Sequence, residues 1–149
     1  MSEPIKIDAS EVLNNLDTFM KETLTSNLQK SLEQACMHVE GEAKRNLAGH
    51  VGSGELRASI THGIELDTDE GMVGYVGSGL EYAPYVEFGT GLYTDSSHVG
   101  RQDVPWRYQD VKGEWHTSYG IKYQHFLTNA IEQNRDKILD YFKGVLDGQ

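Results

Sequence analysis

The chain has 149 residues, close to the ~150 that one domain occupies, so it can build one hydrophobic core and is too short for a large multi-domain enzyme. Hydrophobic residues make up 38% and glycine adds 16 more positions, a composition that folds rather than one that stays disordered. Thirteen Lys and Arg against 23 Asp and Glu give a net charge of -10, the wrong sign for a surface that grips duplex DNA by neutralising phosphates.

The chain opens Met-Ser-Glu-Pro and no apolar stretch long enough for a signal peptide or membrane span follows, which points to a cytosol-like compartment or export within an assembled particle. From Asp8 the pattern turns helical. Asp8 or Ser10 is a candidate cap, Glu11 falls where a capping box needs it, and a stripe runs Leu13, Leu16, Met20, Leu24, Leu28, Leu32, Ala35, Val39, Ala43, Leu47. Unbroken, this helix is about 55 Å long at ~1.5 Å per residue, with Thr25 or Ser26 available to cap a second helix if it breaks near residues 23–27. One face must be buried, and core packing is the simpler account of it than a partner. Cys36 stands alone in the helical pattern and is read as a small buried hydrophobe, which argues against an oxidised, disulfide-built scaffold.

Glycines 49, 52 and 54 end the helix, and residues 59–66 and 72–77 read as a hairpin joined by the acidic turn Asp67-Thr68-Asp69-Glu70-Gly71. That turn lacks the alternating ligands and distal Glu of an EF-hand loop, so a solvated turn is expected rather than calcium. Residues 51–103 hold most of the charge imbalance: Glu55, Glu65, Asp67, Asp69, Glu70, Glu81, Glu87, Asp95 and Asp103 against Arg57 and Arg101. They also open the aromatic part of the chain. Eleven of the fourteen aromatic residues lie between Tyr75 and Phe126, the region expected to carry the specific surface.

Within it, residues 81–91 combine Pro84, which fixes one dihedral, with flanking aromatic rings and Gly89, which permits a backbone turn few residues allow; they read as one rigid corner. Residues 90–103 have no periodicity and are read as a long exposed loop. A second hairpin follows over residues 104–109 and 114–118, carrying Trp106, Tyr108 and Trp115. From Gln124 a helical period returns with Leu127, Ala130, Ile131, Ile138, Phe142 and Val145, while Glu132/Arg135 and Asp140/Lys143 pair on the other side. The expected fold is a single α+β domain over residues 1–149: a helical region (1–47), an antiparallel sheet of two hairpins with the loop 90–103 exposed (48–123), and a C-terminal amphipathic helix (124–149).

Chemistry is sparse. His38, His50, His62, His98, His116 and His125 are scattered without a zinc spacing, no Gly-x-Ser-x-Gly elbow is present, and the three Gly-x-Gly units lack the rest of a nucleotide loop. No catalytic residue, cofactor or metal is expected. The enzymatic alternative is a hydrolase or enzyme accessory using Glu87 with a histidine near the corner at Tyr82–Thr90; its mark would be a pocket with converging polar groups.

The string Glu81-Tyr-Ala-Pro-Tyr-Val-Glu-Phe-Gly-Thr-Gly91, with Gly54, Leu56, Ser59 and Ile60 upstream and residues 120–130 leading into the last helix, resembles the head-tail joining proteins of long-tailed phages, also described as neck, tail-completion or minor tail proteins. The likeness runs from about Ala35 to Ile138. Tyr82, Ala83, Tyr85, Glu87, Phe88, Gly89 and Thr90 match the family's central string, with Pro84 and Gly91 beside them, and Trp106, Tyr108 and Trp115 fit its aromatic hairpin. His125 and Asn129 depart from it, standing where members commonly carry proline, which affects how the last helix begins.

The resemblance implies a structural virion protein made in the host cytoplasm. Its copies are expected to form a six-fold ring between a head-completion or connector protein on the portal side and the tail terminator or tail tube. No reaction and no membrane contact are implied. DNA is expected to pass without specific binding, and Glu65, Asp67, Asp69, Glu70, Asp95 and Asp103 are candidates for an acidic lumen that repels phosphate. An adaptor of a phage-derived secretion or gene-transfer particle shares this physics and differs in context.

Overall fold

The computed structural model describes residue 6 and residues 8–49, 54–67, 71–95 and 103–146. Helix α1 (Ser10–Asn46) is followed by α2 (Gly54–Ser59), strands β1 (Thr61–Asp67) and β2 (Gly71–Gly77), and helix α3 (Ala83–Phe88). A 3-10 turn (Gly91–Tyr93), strands β3 (Trp106–Gln109) and β4 (Trp115–Ser118), and helices α4 (Phe126–Glu132) and α5 (Arg135–Leu146) complete the order. The class is α+β, as the patterning predicts.

Helix α1 does not break at residues 23–27. It runs unbroken for 37 residues, and Ala9 rather than Asp8 or Ser10 occupies its cap position with no side-chain capping bond. Asp8 instead accepts from the Ser10 amide at 2.9 Å, so the capping box does not form. At the other end Lys44 and Arg45 sit in the last turn, where cations meet the negative end of the helix dipole.

The apolar stripe divides in two. Ala35, Cys36, Val39, Ala43 and Leu47 are buried, whereas Leu13, Leu16, Met20 and Leu24 are exposed, so core packing accounts for only the second half of the helix. Burial also pushes the Cys36 thiol above its ordinary range, with the Glu33 charge adding to it, as fits an inert packing residue.

The core gathers Val39, Ala43 and Leu47 of α1 with Leu56, Ile60, Ala83, Phe126 and Ala130, flanked by Val76, Leu80, Tyr82, Val86, Leu127 and Ile138. All the helices and β2 contribute to this cluster or flank it. Strands β1 and β2 pair in register from Thr61 opposite Gly77 to Asp67 opposite Gly71 and lie against α1. There Gly74 faces Leu32 and Cys36 so closely that a Cβ would overlap them. Glu40 accepts from Lys44 Nζ at 2.6 Å and pairs with His62 of β1, fastening strand to helix.

The hairpins form two separate two-stranded sheets, not one sheet. Strands β3 and β4 pair from Trp106 opposite Ser118 to Gln109 opposite Trp115, and their substantial element contacts are with each other. The C-terminal helix is likewise two helices. Asn134 explains the break: its side-chain amide donates to the Ala130 carbonyl at 2.9 Å, the acceptor its own backbone amide would take in a continuous helix, and that amide turns to Ile131. The expected pairs Glu132/Arg135 and Asp140/Lys143 are present at 2.7 Å and 2.8 Å. Among the described residues no helix is long and apolar enough to cross a membrane.

Candidate functional site

The corner is built around α3. Pro84 falls in its first turn, where a missing amide leaves nothing unsatisfied, and Gly89 ends it with φ 81° and ψ 176°, a combination essentially restricted to glycine. A Cβ on Gly89 would overlap the Tyr93 carbonyl oxygen, and one on Gly91 or Gly120 would overlap the backbone of the facing segment. Backbone packs on backbone here. The Thr90 amide donates to the Ile121 carbonyl at 2.8 Å, Leu92 to Tyr119 at 2.9 Å, and Asp95 to Phe88 at 2.9 Å. The segment expected to be an exposed loop is therefore pinned over residues 90–95, because its glycines let two chains approach to hydrogen-bonding distance. Residues 96–102 of that loop lie outside the described residues.

Glu87 is the buried charge of the corner, with 4% of its surface exposed. Its Oε2 accepts from the Leu127 amide at 2.8 Å, and its Oε1 from the Thr128 amide at 2.9 Å and the Thr128 hydroxyl at 2.5 Å. These are the first amides of α4, which has no capping side chain of its own because His125 occupies the cap position. The carboxylate of α3 thus caps α4 across the fold, and the Gln124 and His125 amides reinforce the joint by donating to the Val86 and Glu87 carbonyls at 2.9 Å and 3.1 Å.

His125 has φ 49°, a left-handed conformation closed to proline, and its amide is engaged, so the departure from the family pattern at this position has a geometric reason. Its ring stacks on Tyr123 with centroids 4.4 Å apart and pairs through Nε2 with Asp95 at 2.8 Å. Sequence reasoning missed Asp95, His125 and Thr128 as members of one network. No local spacing joins residues so far apart.

Ala83, Tyr82 and Val86 of the corner turn toward the core, while other side chains at its surface face outward. Tyr85 is exposed, as are Leu92, Tyr93, Tyr119, Ile121 and Tyr123 on the pinned segments. Tyr82 donates its hydroxyl to Glu55 at 3.2 Å, and loss of hydration together with the Glu55 charge raises that hydroxyl above the ordinary tyrosine range. On the second hairpin the expected aromatic trio divides. Register puts Trp106 and Tyr108 on one face, where Tyr108 stacks on His116 at 5.3 Å, and Trp115 on the other, beneath the Arg107 guanidinium at 5.3 Å. At its turn, donor atoms of Asp110, Glu114 and His116 lie within 4.8 Å of one another. The Asp110 carboxylate already accepts from the Lys112 and Glu114 amides and from His116, as a turn-closing aspartate does, and these contacts hold its carboxyl below the usual range, His116 most of all.

Of the candidate lumen acids, Glu65 and Asp103 are exposed and Asp67 ends β1, whereas Asp95 is half-buried against His125. Asp69 and Glu70 lie outside the described residues.

A long helix with a partly bare face, a rigid glycine-built corner and outward aromatics define the chain as an interaction module, and a family comparison agrees with that class. The family model described as "Bacteriophage HK97-gp10, putative tail-component" matches residues 10–89, more than half of the chain and including α1 and the corner through Gly89. The chain belongs to the HK97-gp10-like family of phage tail components, of the head-tail joining type, and is a virion-associated protein. No curated protein and no solved structure gives a match.

Proposed function

We propose that this chain is a structural subunit of the phage neck: copies assemble into a ring that joins the DNA-filled head to the tail and lets DNA through without holding it. The observation that carries this reading is the use of Glu87. The most buried carboxylate of the family-like string serves to lock α3 to α4, and Tyr85, Tyr93, Tyr119 and Tyr123 near that lock are exposed, where a neighbouring virion protein can cover them. A non-enzymatic role follows in this proposal, because a general acid or base needs a carboxylate with room for substrate. Glu87 has both oxygens committed to helix amides. The partners are other copies of the chain, the connector protein on the head side and the terminator or tube on the tail side.

Electron microscopy of particles made without this protein tests the reading. Filled heads and completed tails that fail to join are expected, with a ring-shaped density at the junction returning on complementation. Normally joined, infectious particles lacking the protein would refute it.

A further inference from the structure

The first half of α1 carries an apolar face that none of the described residues covers. Val12, Leu13, Leu16, Phe19, Met20 and Leu24 are each between 47% and 66% exposed. At 100° per residue they fall within an arc of about 140°, the width of a core-facing helix surface. At the same spacing Ser31, Ala35 and Val39 lie about 100°, 140° and 180° round from Val12, so the stripe that is buried begins at one edge of the bare arc and winds away from it along the helix. A patch of this kind marks an interaction site. The arm is acidic as well: Glu11, Asp17 and Glu22 flank the apolar arc against Lys21, which pairs with Asp17 at 2.9 Å.

The complementary surface is on the same chain. In a protein of net charge -10, residues 104–123 are net positive, with Arg107, Lys112 and Lys122 against Asp110 and Glu114. Trp115 is 59% exposed there, with Arg107 over its ring, and Tyr119 and Ile121 of the segment that follows are exposed too. Among the described residues the substantial element contacts of this hairpin are internal. An acidic apolar arm and a basic aromatic hairpin, both uncovered among the described residues, match as unlike surfaces.

We propose that the occupant of the bare α1 face is a second copy of this chain, the arm of residues 10–26 lying on the neighbour's β3–β4 hairpin across the Arg107 and Trp115 face. Pairing two different patches is a head-to-tail contact, the type that closes into rings; arm against arm would bring two acidic surfaces together and stop at a dimer. The inference rests on the ring reading above and adds the surfaces that build it.

Photocrosslinking tests it in the full chain. With p-benzoylphenylalanine in place of Phe19, illumination of protein in assembled particles is expected to join Phe19 of one copy to residues 104–123 of another, identified by peptide mass spectrometry. Phe19→Ser and Trp115→Ala, both at exposed positions, are expected to lower the ring population at least tenfold in electron micrographs while leaving the thermal unfolding of the subunit unchanged. Crosslinks from arm to arm, crosslinks only to a different protein, or rings that survive both substitutions overturn this inference and leave the ring reading standing. Particles in which the unsubstituted chain forms no ring overturn both.

Discussion

A carboxylate as deeply buried as that of Glu87 persists in a fold only where fixed donors replace its water, and the Leu127 and Thr128 amides with the Thr128 hydroxyl do so. Removing it leaves the first turn of α4 with orphaned amides. Glu87→Ala is therefore expected to lower the unfolding free energy by about 3 kcal/mol in urea titrations, and Glu87→Gln, which keeps one acceptor but replaces the other with a donor, by roughly half that. A substitution of no measurable cost would mean that water takes over the capping. Gly89 makes a backbone argument instead. At φ 81° with the Tyr93 carbonyl against its α-carbon, Gly89→Val must move the chain, and a loss of about 3 kcal/mol or more is expected, read as a lowered melting temperature. The sequence makes the glycine legible as a corner because Pro84 and the aromatics surround it. It does not make the Glu87 cap legible, since the donors stand 40 and 41 residues away.

Between elements, the tie from α1 to β1 depends on ionisation. Hydrogen bonds from His62 first and Lys44 second hold the Glu40 carboxyl below its ordinary value, outweighing the opposing effect of burial. A folded-state value below the unfolded one means that Glu40 adds stability in full above the ordinary glutamate range and loses it as pH falls through the lowered value. Glu40→Gln should cost about 1 kcal/mol near neutrality, and the gap between the variant and the parent should close in acid. Denaturation midpoints measured across that range check it, and a gap independent of pH would assign the cost to packing. At this scale the sequence predicts well what local period controls: α1, both hairpins and the amphipathic C-terminal segment are all present. It errs where side chains compete with backbone, as Asn134 does in dividing α4 from α5, and where burial depends on distant partners, as in the bare half of α1. Both halves of that helix follow one stripe; only tertiary contact tells them apart.

For the whole molecule, the charge imbalance is the property that bears on DNA. Glu65 is exposed on β1, which pairs with β2 from Thr61 opposite Gly77 to Asp67 opposite Gly71. If this hairpin lines the channel, replacing Glu65, Asp67, Asp69 and Glu70 by lysine gives passing phosphates fixed counter-charges and should slow ejection, more strongly at low salt than at high. Dye-reported DNA release from purified particles measures this, and an unchanged rate would place these acids on the outer surface. The same chain then has two electrostatic tasks in the proposed ring, repelling DNA inward and attracting its neighbour sideways, and the two fall on different hairpins. Composition reveals the acidity but not its direction, because net charge carries no geometry.

The cap that α4 lacks and α3 supplies has a consequence for how the polypeptide matures. Helix α4 cannot complete its capped first turn as it leaves the ribosome unless α3 has already taken shape, and the middle of the chain in turn leans on Phe126 and Ala130 to seal its interior. Order arrives in both or in neither. A polypeptide damaged or truncated in either stretch therefore loses the joint between α3 and α4, and with it the rigid corner that a partner would meet.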